Sequence, residues 1–220
     1  MIIVFDMDET LYDEFTYVKD SLNAVALYLS LKYTINLDRL KSELLYEIKI
    51  NGRGKTFDNV LKKNSIFSKK ELNNCISVYR KNTPKINIYD SAKLVLEKLS
   101  SSAKYLVSDG NKLVQNNKVK ALDISKYFKK IFLTHNYGRD HAKPSTYCFK
   151  IIKNLENCSW NEMVYIGDDP TKDFVALNPL GVQTIRIHKG RLKDLKPGKK
   201  FDAKYHIKDI YEVINLMKRF

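Results

Sequence analysis

The chain opens MIIVFDMDETLYDEF (residues 1–15), and the reading of these residues decides the fold. Ile2, Ile3, Val4 and Phe5 form a short apolar run without polar alternation, as expected of a strand covered on both faces. The run stops at Asp6, and Asp8 follows two residues later. Two carboxylates that close repel each other, and an ordinary strand-to-loop junction does not need them. Either they decorate a solvated turn, or something cationic sits between them.

Similar runs recur at Tyr105–Val107, Ile131–Leu133, Met163–Ile166 and Thr184–Ile187. An edge strand is expected at Ala203–Ile207, and a last helix from Asp209 to Phe220. Helical patterns separate most of these runs. The stretch from Ile88 to Ser91, followed by Leu94, Val95 and Leu99, predicts a capped helix. Pro144, Ser145 and Thr146, followed by Phe149, Ile152 and Leu155, predict a helix with proline in its first turn. Strands alternating with helices give an α/β class, a Rossmann-like parallel sheet.

Residues from about Phe15 to Tyr79 break that rhythm. Phe15, Val18, Leu22, Val25 and Leu29 fall on one helical stripe, and Leu37, Leu40, Leu44 and Ile48 on a second. Phe57, Val60 and Leu61 make a third. A capping-box pattern from Ser68 to Glu71 precedes the fourth, Leu72, Ile76 and Tyr79. Gly52 to Lys55 reads as a loop, since two glycines are costly inside a helix. The expected organisation is a core domain of residues 1–13 and 85–220, with a four-helix cap of residues 14–84 inserted after the first strand.

The 220 residues are 44% hydrophobic and 11% aromatic, a globular and not a disordered composition. No stretch approaches the ~20 apolar residues of a membrane span. The N-terminus lacks a basic lead followed by an apolar h-region, so a cytoplasmic protein without membrane association is expected. Cys75, Cys148 and Cys158 are widely separated and read as reduced thiols; zinc is improbable. The formal charge of +14 is spread along the chain. Lys196 to Lys200, the densest basic stretch, lacks interleaved aromatics, so a solvated basic face is favoured and nucleic acid is unlikely as a partner.

In a parallel α/β domain, ligands bind outside the carboxyl ends of the strands. After the first run come Asp6, Asp8 and Thr10; after the second, Ser108, Asp109, Gly110 and Asn111; after the fourth, Gly167, Asp168, Asp169 and Asp173. Lys143 lies between the third and fourth. Hard carboxylate oxygens favour Mg²⁺. Ser108 and the N–H groups of Asp109 and Gly110 suit phosphate oxygens, and Lys143 suits the negative charge of phosphoryl transfer.

These residues resemble the haloacid dehalogenase superfamily, subclass I, with a helical cap. Four motifs appear in order: DMDET at 6–10, VSDGN at 107–111, KPS at 143–145 and GDDPTKD at 167–173. The resemblance implies that Asp6 is a nucleophile forming an aspartyl-phosphate, and that Asp8 is the acid and later the base. An acid there needs a carboxyl pKa raised from ~4. It also implies Mg²⁺ held by Asp6, Asp168 and the Asp8 carbonyl. Asp173 is expected to orient Lys143 or a metal-bound water, and Thr10 to support the first loop. Asp169 fits either a metal-binding or a supporting role.

Asp109 stands where the family often has Asn; that position mainly offers its N–H, so activity should survive. Arg53 and Lys55 are candidates to reach the non-reacting part of an anionic substrate. His135, His141, His188 and His206 show no ligand spacing, and Trp160 is expected to pack. The expected activity is a phosphatase of a small phosphorylated metabolite, a sugar phosphate or nucleoside monophosphate. Asp8 argues against a dehalogenase, since halide departure needs no proton. A sugar phosphomutase, or a regulatory or nucleic-acid-binding protein with a relic site, are the alternatives. Substrate identity and oligomeric state are not legible in the sequence.

Overall fold

The computed structural model describes residues 1–220. The chain divides into two compact units, residues 1–14 with 86–220 and residues 15–85.

The first unit is built on six strands: β1 (Ile2–Phe5), β2 (Ala103–Ser108), β3 (Lys130–Leu133), β4 (Met163–Gly167), β5 (Gln183–Ile187) and β6 (Tyr205–Ile207). Their order is β3-β2-β1-β4-β5-β6, and every pairing is parallel. All four residues of β1 are buried, because β1 lies between β2 and β4 and is covered on both faces. Burying side chains of this kind contributes about 1.5–3 kcal/mol each. On one face Val4, Tyr105, Phe132, Phe149, Tyr165 and Phe174 share a single core.

The second unit contains α1 (Glu14–Tyr33, its first residue in the first unit), α2 (Leu37–Asn51), α3 (Thr56–Lys63) and α4 (Lys69–Lys81). Val18, Leu22, Val25, Leu29, Leu40, Leu44, Val60 and Leu61 are buried, as their helical spacing requires. Phe15, at the start of the first stripe, is exposed. Ser68 caps α4 by accepting the Glu71 N–H, but the expected reciprocal half of the box is absent. The Glu71 carboxylate instead binds Lys32 and Tyr33 of α1. A salt bridge across the unit has replaced a local cap.

The first unit adds α5 (Asp90–Lys98), α6 (Lys112–Ala121), α7 (Tyr147–Leu155) and the short α8 (Val213–Met217). Two helix boundaries differ from the sequence expectation. Pro144 precedes α7 and does not lie in its first turn; the helix begins at Tyr147, after a turn in which the Ser145 N–H binds the Ala142 carbonyl. The last helix is shorter, because Asp209 and Glu212 form a capping box around a 3₁₀ turn at Ile210–Glu212. No helix is long and apolar enough to cross a membrane.

Candidate active site

The Asp6 N–H donates to the Ile166 carbonyl at 2.8 Å, extending the β1–β4 ladder one residue past β1. The nucleophile candidate is therefore fixed to the sheet. The chain then turns: the N–H groups of Thr10 and Leu11 return to the Met7 carbonyl, and Glu9 takes a positive φ of 56°. Thr10 is wholly buried in this turn, and its hydroxyl finds no hydrogen-bond partner. At the end of β4, Asp168 follows Gly167. A Cβ at Gly167 would lie 2.4 Å from an Asp173 oxygen, so glycine is what lets that carboxylate approach.

Lys143 is the centre of the arrangement. Its Nζ lies 3.0 Å from Asp6 Oδ1 and 2.8 Å from Asp173 Oδ1, and it donates to the Tyr165 hydroxyl at 2.9 Å. Burial works against its charge, but Asp173 and Asp6 more than reverse this and hold its pKa well above the usual range. The Tyr165 hydroxyl donates in turn to Asp173 Oδ1 at 3.1 Å, and Asp173 Oδ2 accepts the Asp169 N–H at 2.9 Å. Both oxygens of Asp173 are thus engaged. Tyr165 was not a sequence candidate; its inward position on a strand reads as core.

Burial pushes Asp6 up to about 7, with Lys143 opposing and Asp173 adding to the rise. Burial, then Asp173 and Asp6, pushes Asp168 up to about 9. Carboxylate oxygens of Asp6, Asp168 and Asp173 lie within 4.8 Å of one another. Such crowding of hard oxygen donors fits a small divalent cation of the Mg²⁺ type. Since Asp173 is committed to Lys143, Asp6 and Asp168 are the side chains fitted to hold it.

Asp8 departs from expectation. Its Oδ1 accepts from the Tyr12 hydroxyl at 2.5 Å and from Lys118 Nζ at 2.7 Å. Its Oδ2 accepts from Gln115 Nε2 at 2.8 Å. Burial raises its pKa, but Lys118, Tyr12 and Gln115 outweigh burial and hold the carboxyl below the usual range. The raised pKa required of a resting acid is not present. The clamp engages both oxygens of the Asp8 carboxylate. Gln115 and Lys118 were missed in the sequence, although both share the inner face of α6 with Val114 and Val119. Polar residues on a buried stripe were the available signal.

Ser108 ends β2 with its hydroxyl 2.9 Å from Gln115 Nε2. The Asp109 carboxylate does more than its expected backbone role: it accepts from the Thr134 hydroxyl at 2.8 Å and the Lys143 N–H at 3.1 Å, and pairs with Lys172 at 3.4 Å. It ties the segments after β2, β3 and β4 together. Gly110 has φ of 137°, and a Cβ there would press on Gln115 at 3.1 Å. Asn111 spends its side-chain oxygen capping α6 through the N–H groups of Leu113 and Val114. Asp169 accepts from the Thr171 N–H and hydroxyl, which turns its carboxylate into its own loop. Arg53 and Lys55 are exposed residues of the second unit, in the loop between α2 and α3.

A family model for haloacid dehalogenase-like hydrolases matches residues 3–187. The chain belongs to this family. Among curated relatives, a glyceraldehyde 3-phosphate phosphatase from Methanocaldococcus jannaschii is 26% identical over 98% of this chain and 96% of its own. A glyceraldehyde 3-phosphate phosphatase from Pyrococcus furiosus is 23% identical over 99% of this chain and 93% of its own. Among solved structures, the HAD-hydrolase YfnB from Bacillus subtilis, bound to magnesium, superposes with a TM-score of 0.69 at 18% identity. That alignment covers 98% of this chain and 97% of the other.

For a haloacid dehalogenase-like hydrolase, one pairing lies outside the site. His188 Nε2 lies 2.9 Å from His206 Nδ1, across β5 and the edge strand β6. The sequence shows no ligand spacing among the four histidines; parallel pairing of strands distant in sequence brings two of them together.

Proposed function

We propose that this hydrolase is a Mg²⁺-dependent phosphatase of a small phosphorylated metabolite in the cytoplasm, working through an aspartyl-phosphate on Asp6. The observation that carries the reading is the Asp6–Lys143 pair, 3.0 Å apart beside Asp168, with a separately clamped Asp8 two residues on. An alkoxide leaving from phosphorus needs a proton, and a halide leaving from carbon does not. Asp8 therefore favours phosphoryl transfer.

Asp6 attacks phosphorus in line with the leaving oxygen. Lys143 balances the charge gathering on the equatorial oxygens. The Ser108 hydroxyl and the N–H groups of Asp109 and Gly110 receive phosphate oxygens. Asp8, ionised at rest, gives a proton to the leaving oxygen only after taking one up, and takes another from the water that later cleaves the aspartyl-phosphate. Asp173 keeps Lys143 charged and in place. Asp6, Asp168 and the Asp8 carbonyl would hold a Mg²⁺ ion, which would neutralise charge between the nucleophile and the dianionic phosphate.

The named activity of the two curated relatives makes glyceraldehyde 3-phosphate the first compound to try, ahead of other sugar phosphates and nucleoside monophosphates. Phosphate release from this panel, with Mg²⁺ and with EDTA, is expected from the wild type in Mg²⁺ alone. Loss of release in Asp6→Asn supports the assignment. Release that persists in Asp6→Asn overturns it.

A further inference from the structure

We propose that Gln115 and Lys118, from α6, are positioning residues that fix the orientation of the Asp8 carboxylate and leave one position, on Oδ2, open for proton transfer. The inference rests on the phosphatase reading and assigns it two residues that none of the four motifs contains.

A carboxylate offers about four lone-pair positions. At Asp8 three are filled by the protein: two on Oδ1, from Tyr12 and Lys118, and one on Oδ2, from Gln115. One position on Oδ2 remains. The side chain keeps 20% of its surface accessible, whereas Lys118 keeps only 3%. A group clamped on one oxygen and open on the other has a single place to hold and release a proton. Lys118 is itself fixed by Glu14 at 3.3 Å, so its position does not depend on Asp8 alone.

Gln115 joins this clamp to the phosphate side of the site. Its Nε2 carries two hydrogens and lies within 2.9 Å of three acceptors: Asp8 Oδ2, Ser108 Oγ and the Asp109 carbonyl. The carboxylate and the carbonyl can only accept, so they take the two hydrogens, and the Ser108 hydroxyl keeps its own proton for a phosphate oxygen. One amide thereby links the Asp8 carboxylate to the end of β2 beside the Ser108 hydroxyl. The bare Cα of Gly110 makes room for it, since a Cβ would crowd the amide carbon.

The test separates positioning of an acid from general support of the fold. In kcat/KM the later cleavage of the aspartyl-phosphate does not enter, because the leaving group has already departed. Nitrophenolate leaves p-nitrophenyl phosphate as a stable anion and needs no proton, whereas the alkoxide of glyceraldehyde 3-phosphate does. Lys118→Met is expected to lower kcat/KM about 100-fold on glyceraldehyde 3-phosphate and less than about 10-fold on p-nitrophenyl phosphate, with Lys118→Arg recovering part of the loss. Gln115→Leu keeps the ion pair and should show the same selectivity in smaller measure, which covers the case in which Lys118→Met does not fold. Equal losses on the two substrates, or none, in folded Gln115→Leu overturn the proposal. A wild type that hydrolyses neither ester overturns the phosphatase reading first, and is told apart by that result.

Discussion

Asp173 Oδ1 lies 2.8 Å from Lys143 Nζ, and both side chains are out of solvent. The lysine that faces Asp6 is therefore also held by a second buried carboxylate. Removing one partner of a buried pair leaves the other uncompensated, at a cost of about 3–5 kcal/mol. Asp173→Asn keeps the shape and halves the pairing. It should unfold at lower urea and lose at least about tenfold in kcat/KM, read by urea titration and steady-state kinetics.

Asp109 makes a sharper distinction between charge and geometry. Its Oδ1 accepts from Thr134 and the Lys143 N–H, while Oδ2 faces Lys172. An asparagine can keep the first two bonds with its carbonyl oxygen. Asp109→Asn should stay within about tenfold of wild-type kcat/KM, while Asp109→Ala, which frees the Lys143 loop, should fall further; loss of a hydrogen bond of this kind costs about 1–3 kcal/mol. Equal behaviour of the two variants would contradict the bracket described for this residue.

Burial and the charges of Asp173 and Asp8 disfavour ionised Asp6, and burial and the charges of Asp173 and Asp6 disfavour ionised Asp168. A bound divalent cation relieves that repulsion and stabilises the folded state by mass action, about 2.7 kcal/mol at a concentration one hundred times Kd. Mg²⁺ should raise the melting temperature of the wild type, EDTA should remove the rise, and Asp168→Asn should abolish it. Differential scanning fluorimetry reads all three.

The helical unit carries its own pH dependence. Burial raises the pKa of Glu71, but hydrogen bonds from Lys32, Tyr28 and Tyr33 outweigh it and leave the carboxyl below its usual value. A carboxylate depressed in the folded state stabilises that state above its unfolded pKa of ~4.3, and the contribution vanishes as pH falls through the folded value. The melting temperatures of wild type and Glu71→Gln should therefore differ at pH 7 and converge towards pH 3. A constant difference would place the effect elsewhere.

Much of this was legible in the sequence because it is local. Apolar runs such as Ile2–Phe5 declare buried parallel strands, and the acidic and hydroxyl residues that end them declare a shared edge. What was not legible depends on which distant segments meet. Gln115 and Lys118 gain their role only when α6 is placed beside Asp8, more than one hundred residues earlier in the chain. The lowered pKa of Asp8 follows from the same contacts. His188 and His206 show no ligand spacing because their meeting is made by the sheet. The Asp109 side chain looked idle because its partners, Thr134, Lys143 and Lys172, come from later segments of the chain.

The place of β1 between β2 and β4 also has a consequence for synthesis of the chain. Of the six strands, β1 is made first, and its second neighbour arrives roughly 160 residues later. At 5–20 residues per second that interval lasts about 8–30 s. Throughout it a fully apolar segment keeps at least one unpaired edge, the kind of surface that chaperones shield and that aggregates when they do not. The strand that seats Asp6 in the finished fold is thus also one that needs protection in the nascent chain.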